Sequence, residues 1–193
     1  MSERSGKPRL RPPQHQSRPP GREKPLRPPS EADGNGYVGC GLLQGKVAII
    51  TGADSGIGRA VAAAFAKEGA DIAFDFLEES ADAQHTVAFV RALGRRCLAL
   101  RGDVTHADHR RRLVNRTKRD LGRIDILVNN AAVHFPADRI EDLNWRQVEL
   151  TFAVNVLAPM RLTALVVPHL EHGSSIINTT SVVAYRGSSH LLD

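Results

Sequence analysis

The sequence has few cysteines: Cys40 and Cys97 are the only two among 193 residues, and they lie far apart. A disulfide framework needs more cysteines in a shorter chain, and these two match no metal-ligand spacing. We therefore predict that both are reduced thiols and that the chain holds no metal site.

Long apolar stretches are also missing. No uninterrupted run of about 18 apolar residues occurs, which disfavours a transmembrane helix. The amino-terminal region is polar and rich in Pro and Arg, so it lacks the apolar segment that a secretory signal needs. These absences predict a cytoplasmic protein that does not bind membranes.

The positive charge is concentrated near the amino terminus. The net charge is +5, but residues 1–30 hold eight Lys or Arg against two Glu, so the remaining 163 residues sum to −1. The same 30 residues carry eight of the eleven prolines and few apolar side chains, so they cannot bury enough surface to offset their ordering entropy. We predict a disordered tail over residues 1–43, either a solvated extension or a binding element for an anionic surface or a partner subunit.

A second basic stretch, residues 109–119, is predicted to be helical. Its Arg and Lys side chains spread around much of the helix circumference, and no aromatic residues interleave with them. A nucleic-acid-binding helix would present one basic stripe, so we predict a solvated outer face and no nucleic-acid partner.

From residue 46 onward, short apolar strands alternate with helical patterns. Strands are predicted at 46–51, 71–76, 97–102, 124–130 and 174–180, and helices at 56–70, 80–94, 106–122 and about 144–170. Strands separated by helices of this length imply right-handed crossovers and a parallel sheet covered on both faces. Residues 44–193 are therefore predicted to form a doubly wound α/β domain.

The Gly-rich sequence TGADSGIG, residues 51–58, lies between the first strand and the first helix. In a dinucleotide site, Gly52 would allow a tight turn, Gly56 would let the backbone approach a pyrophosphate, and Gly58 would permit close packing of helix on strand. The helix N-terminus would add N–H groups and the positive end of its dipole. Glycines at such a turn can also serve packing alone, and the glycine pattern by itself leaves this alternative open.

The spacing TGxxxGIG resembles the short-chain dehydrogenase/reductase family, and further motifs agree in order: GDV at 102–104, NNAA at 129–132, Asn155 and Ser181. Ala132 stands where the family usually has Gly. The resemblance implies a Rossmann-type fold and an oxidoreductase that transfers a hydride between NAD(P)(H) and a carbonyl or alcohol substrate. It also implies a set of cofactor-binding residues: Thr51, Gly52, Asp54, Ser55, Gly56, Ile57, Gly58, Phe76, Asp103, Val104, Asn129 and Ala131.

Within that set, the resemblance implies that Asp103 accepts from the adenine amino group and that Val104 packs on the face of the adenine ring. Asn129 would hold the strand ends together and line the adenine-ribose side. Phe76 occupies the position that decides between NAD and NADP, and Asp75 just before it would point to the opposite face of the sheet. The Gly-rich loop has no Arg, but because the expected acid is displaced, NADP is slightly favoured over NAD.

The same resemblance makes Asn155 and Ser181 catalytic. Ser181 would hydrogen-bond the substrate oxygen and stabilise charge that develops there. Asn155 would kink the long helix and hold a water in a proton relay. Two alternatives stay open for the serine: Thr179 or Thr180 could take its place, or its hydroxyl could simply cap a turn. Asn155 could instead be an ordinary helix residue beside a kink made by Pro159.

The family's reaction also needs a Tyr-x-x-x-Lys pair, which this sequence lacks. Neither Tyr37 nor Tyr185 is followed by Lys at the fourth position, and no Lys occurs after Lys118. The family's interval from Ser181 places the tyrosine immediately after Asp193, so we expect a C-terminally truncated, inactive fragment with an incomplete sheet. The alternative is a nucleotide-binding pseudoenzyme or remnant with a binding or oligomer-pairing role.

Two longer phrases, GKVAIITGADSGIGRAV and INTTSVVAYRGSSHLLD, follow a Pro-rich tail. Together they resemble the bacterial subgroup named after glucose/ribitol dehydrogenase or NADP-dependent aldehyde reductase. The resemblance implies a homo-oligomer, dimer or tetramer, for the full-length form. In this chain we expect uncovered apolar residues of the long helix to favour association: Val154, Leu157, Leu162, Leu165 and Val166.

Overall fold

The computed structural model describes residues 32–34, 36–189 and 191. Its sheet has five strands: β1 (Val47–Thr51), β2 (Asp71–Phe76), β3 (Cys97–Arg101), β4 (Ile126–Asn129) and β5 (Ser175–Asn178). Their order is β3-β2-β1-β4-β5, and every neighbouring pair is parallel. The predicted doubly wound α/β arrangement is therefore confirmed.

Helices connect the strands and cover the sheet. The shorter ones are α1 (Gly56–Lys67), α2 (Ser80–Ala92) and α3 (Ala107–Leu121). A long helix, Trp145–His169, then combines α4 (Trp145–Phe152), a π-helical turn (Ala153–Leu157), α5 (Ala158–Val166) and a 3-10 turn (Val167–His169). Two short elements complete the set, a 3-10 turn (Ile140–Asp142) and α6 (Val183–Arg186).

The central strand β1 is buried on both faces. Ala48 and Ile50 pack with Phe74 on the side covered by α1 and α2, whereas Val47 and Ile49 pack on the side covered by α3 and α5. Because both faces are covered, β1 reads as a continuous apolar run and not as an alternating pattern.

The direction of chain progression reverses beside β1. From β1 the chain moves outward to β2 and β3, then returns to the other side of β1 to form β4 and β5. The loops after β1 and β4 therefore leave the sheet in opposite directions, and ligands of such sheets bind in the crevice that results.

The long helix buries only one of its sides. Val154, Leu162 and Val166 are buried and Leu165 is half-buried against the same core, so the prediction that these four face water is wrong. The three fully buried residues lie on one side of the helix, with eight residues from Val154 to Leu162 and four from Leu162 to Val166, and the last two pack on the sheet. Leu157 is exposed as predicted, and an outer face of this helix stays uncovered, with Phe152, Val156 and Met160 exposed.

By length and composition alone, the helix Trp145–His169 could cross a membrane. It has 25 residues, its most apolar 18-residue window has a mean hydropathy of 1.7, and 28% of that window is buried. It contains no uninterrupted apolar run of that length, because Arg146, Glu149 and Arg161 interrupt it. Core helices of soluble proteins meet the same criterion, so the absence of membrane binding stays a prediction.

The segment that precedes β1 is held against the end of α1. Glu68 accepts hydrogen bonds from the main-chain N–H groups of Cys40 (3.1 Å) and Leu42 (2.8 Å) and from the Tyr37 hydroxyl. Residues 1–31 of the predicted tail lie outside the described residues, so disorder there stays a prediction.

Candidate functional site

The turn after β1 is tied to the turn after β4. Thr51 Oγ1 accepts hydrogen bonds from the main-chain N–H groups of Asn130 (2.9 Å) and Ala131 (3.0 Å). In return, the Asn130 side-chain amide donates to the carbonyls of Thr51 (3.0 Å) and Gly52 (3.3 Å). Asn130 belongs to the NNAA motif at 129–132, but the sequence analysis did not include it among the predicted site residues.

Two glycines of the turn need the left-handed region of backbone space. Gly52 has a φ of 66° and Gly56 a φ of 53°. A Cβ at Gly56 would have no atom within 4 Å, so this residue borders open space. A Cβ at Gly58 would clash with the Gly52 carbonyl oxygen and lie 2.6 Å from Asn130 Nδ2. Gly58 therefore serves the close packing of α1 on β1, while Gly56 leaves the outer side of the turn open.

The start of α1 fits a negatively charged group. Ser55 is the N-cap in an extended conformation, its side chain makes no cap hydrogen bond, and the first turn has no acidic residue. Ile57, in that turn, is 64% exposed. A helix N-terminus next to an open glycine turn suits phosphate groups, because main-chain N–H groups and the helix dipole both favour negative charge.

Asp54 lies inside this turn as a buried carboxyl. Burial raises its pKa to about 6, and the charges of Asp82, Asp75 and Glu79 act in the same direction, against a main-chain hydrogen bond that lowers it. A charged oxygen in this position is costly, so Asp54 is not an open surface ligand.

Near the end of β2, the Asp75 carboxylate points into the protein. Asp75 Oδ1 accepts from the Gly52 N–H at 3.0 Å, and Asp75 Oδ2 lies 3.0 Å from His109 Nε2, with both side chains buried. Phe76 points to the other face, where its ring centroid lies 6.3 Å from that of Phe74. Asp75 is therefore engaged within the protein, and the next side chain at this strand end is apolar.

The residues after β3 shape the start of α3. Asp103 Oδ1 accepts from both the main-chain N–H (2.8 Å) and the hydroxyl (2.7 Å) of Thr105. Val104 is buried in a cluster with Val154 and Ala158 of the long helix. The side chain predicted to pack on an adenine ring is thus largely covered by the chain itself.

Asn129 joins three elements. Its amide donates to Asn178 Oδ1 of β5 (2.8 Å) and to Thr163 Oγ1 of α5 (3.2 Å). Its Oδ1 is buried and has no hydrogen-bond partner among the residues that the structure describes. With 5% of its surface exposed, Asn129 can hold the strand ends together but has little area to offer a ligand.

Asn155 lies at the middle of the π-helical turn and contacts the segment after β4. Its Oδ1 accepts from the Val133 N–H (2.9 Å) and its Nδ2 donates to the Val133 carbonyl (2.7 Å). Single π-helical turns are often found at functional sites. Pro159 has no N–H to donate, so it also contributes to the irregularity of the helix here.

Ser181 follows β5 and is exposed, and its Oγ lies 3.4 Å from the Val183 N–H. That long contact is a weak turn cap. Thr179 is engaged elsewhere: its hydroxyl bonds Asn130 Oδ1 at 3.2 Å, and its N–H bonds the Asn129 carbonyl at 2.9 Å. Of these two hydroxyls, that of Ser181 is the less tightly held.

Asn155 lies on the long helix, and the other predicted site residues lie at or shortly after the carboxyl ends of the five parallel strands, along one edge of the sheet. Among the described residues, no group of three His, Cys, Asp or Glu could hold a metal ion. Both cysteines are free thiols, and burial raises the pKa of Cys97 to about 12, so that side chain is an inert part of the core.

A model of the short chain dehydrogenase family matches residues 46–192. The uncharacterized oxidoreductase YhdF of Bacillus subtilis is 47% identical over 181 residues, which cover 94% of this chain and 63% of YhdF. NADPH-dependent aldehyde reductase 1, chloroplastic, of Arabidopsis thaliana is 38% identical over 186 residues, covering 93% of this chain and 65% of that protein. The chain thus spans less than two thirds of the length of either relative.

A solved structure leads to the same family. The crystal structure of a short chain dehydrogenase from Burkholderia cenocepacia in complex with NADP aligns with a TM-score of 0.75 at 36% identity, covering 78% of this chain and 61% of that one. The sheet order, the Gly-rich turn and the family match agree with one another. This chain therefore belongs to the short chain dehydrogenase family of oxidoreductases.

Proposed function

We propose that this chain supplies the NADP(H)-binding part of an oxidoreductase that transfers a hydride between NADP(H) and a carbonyl or alcohol group of a small molecule. The observation that carries the proposal is the Gly-rich turn, which is fixed by Thr51 and Asn130 and open beside Gly56. A rigid glycine turn at a helix N-terminus suits a pyrophosphate, and family membership supports a dinucleotide as the ligand that carries it.

Different residues would bind different parts of the cofactor. The main-chain N–H groups from Ser55 to Ile57, at the start of α1, would hold the pyrophosphate. Gly52, whose own N–H donates to Asp75, would shape the turn. Asp103 would accept from the adenine amino group through its Oδ2, because its Oδ1 already accepts the two hydrogen bonds from Thr105. The bound nicotinamide would supply or accept the hydride.

The preference for NADP over NAD rests on the end of β2. Binding of the ribose 2′-OH of NAD favours a carboxylate here. Asp75 is committed to Gly52 and His109, and Phe76 offers no acceptor. The Burkholderia relative was solved with NADP, and the Arabidopsis relative is named for NADPH, which supports the same preference.

Ser181 and Asn155 would act at the substrate. The Ser181 hydroxyl would donate to the substrate oxygen and stabilise negative charge on it during hydride transfer. Asn155 uses one donor and one acceptor on Val133, which leaves its side chain able to hold a water as well. The other predicted residues would shape the site behind Ser181 and Asn155: Thr51, Asp54, Ile57, Gly58, Val104, Asn129 and Ala131.

We also propose that the 193-residue chain does not turn over substrate. The family's general acid/base is a tyrosine whose pKa is lowered by a lysine one helical turn later. In this chain, Tyr37 is followed by Gly41 and Tyr185 by Ser189 at the corresponding spacing. The chain would therefore bind the cofactor without completing the proton transfer.

A second candidate function is favoured by the uncovered face of the long helix. Phe152, Val156 and Met160 are exposed apolar side chains on that face. A nucleotide-binding protein without the acid/base could use them to pair with another subunit. We propose further that the chain lies in the cytoplasm and that its partners are the dinucleotide and a small-molecule carbonyl or alcohol, not nucleic acid or a membrane.

The test is a pair of measurements on the 193-residue chain. In fluorescence titrations, we expect NADPH to bind more tightly than NADH. With a panel of aldehydes and ketones, we expect no oxidation of the nicotinamide. Absence of dinucleotide binding would contradict the proposed function. Clear turnover would contradict the proposed inactivity, and binding without turnover but with a stable oligomer would favour the second candidate.

A further inference from the structure

A buried histidine lies beneath the Gly-rich turn. His109 is on the first turn of α3, and its Nε2 lies 3.0 Å from Asp75 Oδ2. The other oxygen of that carboxylate accepts from the Gly52 N–H at 3.0 Å, and the Asp75 main-chain carbonyl accepts from the same N–H at 3.2 Å. His109 thus reaches the turn through one intermediate, Asp75.

The contacts of His109 fix the position of its proton. Arg112 Nη2 lies 3.1 Å from His109 Nδ1 and 3.0 Å from the Arg101 carbonyl oxygen. A guanidinium can only donate, so Nδ1 must accept, and the ring proton lies on Nε2. The imidazole therefore donates to the Asp75 carboxylate, which also accepts from Gly52.

The residue after β3 is shaped around this ring. A Cβ at Gly102 would clash with the His109 imidazole, so only glycine leaves room for it. Gly102 immediately precedes Asp103 and Val104. His109 consequently contacts the ends of β2 and β3 directly, and it reaches the turn after β1 through Asp75. The loops that follow these three strands would surround the adenosine half of the cofactor.

We infer that His109 is a positioning residue for the dinucleotide site: by donating to Asp75 it holds the Gly52 turn in the conformation that receives the pyrophosphate. This inference rests on the proposed function. Without the imidazole donor, one oxygen of a buried carboxylate loses its partner, and the carboxylate must turn toward another donor or water. Either change moves the acceptor away from Gly52 and loosens the turn.

The experiment compares His109→Leu with His109→Gln. The Gln amide can still donate to Asp75, whereas Leu keeps the bulk and removes the donor. We expect His109→Leu to weaken NADPH binding about tenfold or more, and His109→Gln to restore most of the affinity. The exposed His172 provides the matched control, and His172→Gln should leave affinity unchanged. All titrations are made well below the thermal midpoint of each variant.

A purely structural role would lower the thermal midpoint of His109→Leu but leave the NADPH affinity of the folded protein as in wild type, and that result would overturn the inference. If wild type itself bound no dinucleotide, the proposed function would fail and the inference with it, so the two failures are distinguishable.

Wild-type protein offers an independent measurement that does not require a folded variant. In ¹⁵N spectra of the imidazole, His109 should carry its proton on Nε2 and none on Nδ1, and NADPH should shift the signals of His109 and of the Gly52 amide together. Protonation on Nδ1, or a Gly52 shift without any change at His109, would contradict the relay through Asp75.

Discussion

Asn155 and Val133 are joined by two hydrogen bonds, one in each direction between the side-chain amide and the main chain, at 2.9 and 2.7 Å. The pair fastens the long helix to the segment after β4 at the point where the helix becomes π-helical. One side chain thus ties the irregular part of the helix to the chain segment beside the Gly-rich turn.

Loss of this pair should be visible as lost stability. We expect Asn155→Ala to lower the free energy of unfolding by about 1–2 kcal/mol, because both main-chain groups of Val133 then exchange a protein partner for water. Urea unfolding measures the change. Gln147→Ala, an exposed position on the same helix, should change stability by less than about 0.5 kcal/mol. Equal effects of the two substitutions would show that the Val133 pair contributes nothing specific.

The buried Asp54 carboxyl should make stability depend on pH. Its folded-state pKa is about 6, above the ordinary value of 3.8, so the unfolded chain releases this proton first as the pH rises. The contribution of Asp54 to stability is therefore lost between about pH 4 and pH 6 and stays low above that range. Asp54→Asn should remove this decline and stabilise the fold at pH 7 by roughly 1–3 kcal/mol.

The control for Asp54 is the exposed Asp142. Asp142→Asn should leave the pH profile of urea unfolding unchanged, so the difference between wild type and each variant isolates the buried carboxyl. A wild-type stability that rises steadily from pH 4 to pH 7, with Asp54→Asn parallel to it, would contradict the burial argument.

The segment before β1 should depend on Glu68. Hydrogen bonds from Tyr37 and from the main-chain N–H groups of Leu42 and Cys40 lower the pKa of Glu68 despite opposing desolvation. We expect Glu68→Ala to release this segment and to speed chymotrypsin cleavage after Tyr37, read by mass spectrometry. Glu149→Ala, an exposed change on the long helix, should not affect the cleavage rate. Equal rates in all three proteins would mean that Glu68 does not hold the segment.

The sequence predicted the sheet well because its strands are short and apolar and are bounded by turns. β2 was predicted at 71–76 and lies at Asp71–Phe76, and the helix predicted over about 144–170 lies at Trp145–His169. Gly122 ends α3 with a φ of 94°, as a C-terminal glycine does. Such local signals need no knowledge of distant partners.

Contacts between distant segments were not predictable in this way. Asp75 and His109 are 34 residues apart, and Thr51 and Asn130 are 79 apart. The basic stretch 109–119 was predicted to be a solvated face, but His109 and Arg110 are buried, because the first turn of α3 packs over the ends of β2 and β3. Composition reports the average polarity of a helix and not which of its turns is covered.

Gly56→Ala is the first substitution to make, because Gly56 borders the open side of the glycine turn where we propose that NADPH binds. Gly56 and Gly94 both have a positive φ, of 53° and 74°, and a Cβ at either would meet no atom within 4 Å. The two alanine variants therefore carry similar backbone strain, but only Gly56→Ala places a methyl group where the pyrophosphate would lie. In a fluorescence titration, we predict that Gly94→Ala binds NADPH like wild type and that Gly56→Ala loses binding at least about tenfold. Equal affinities in the two variants would show that NADPH does not bind against the glycine turn.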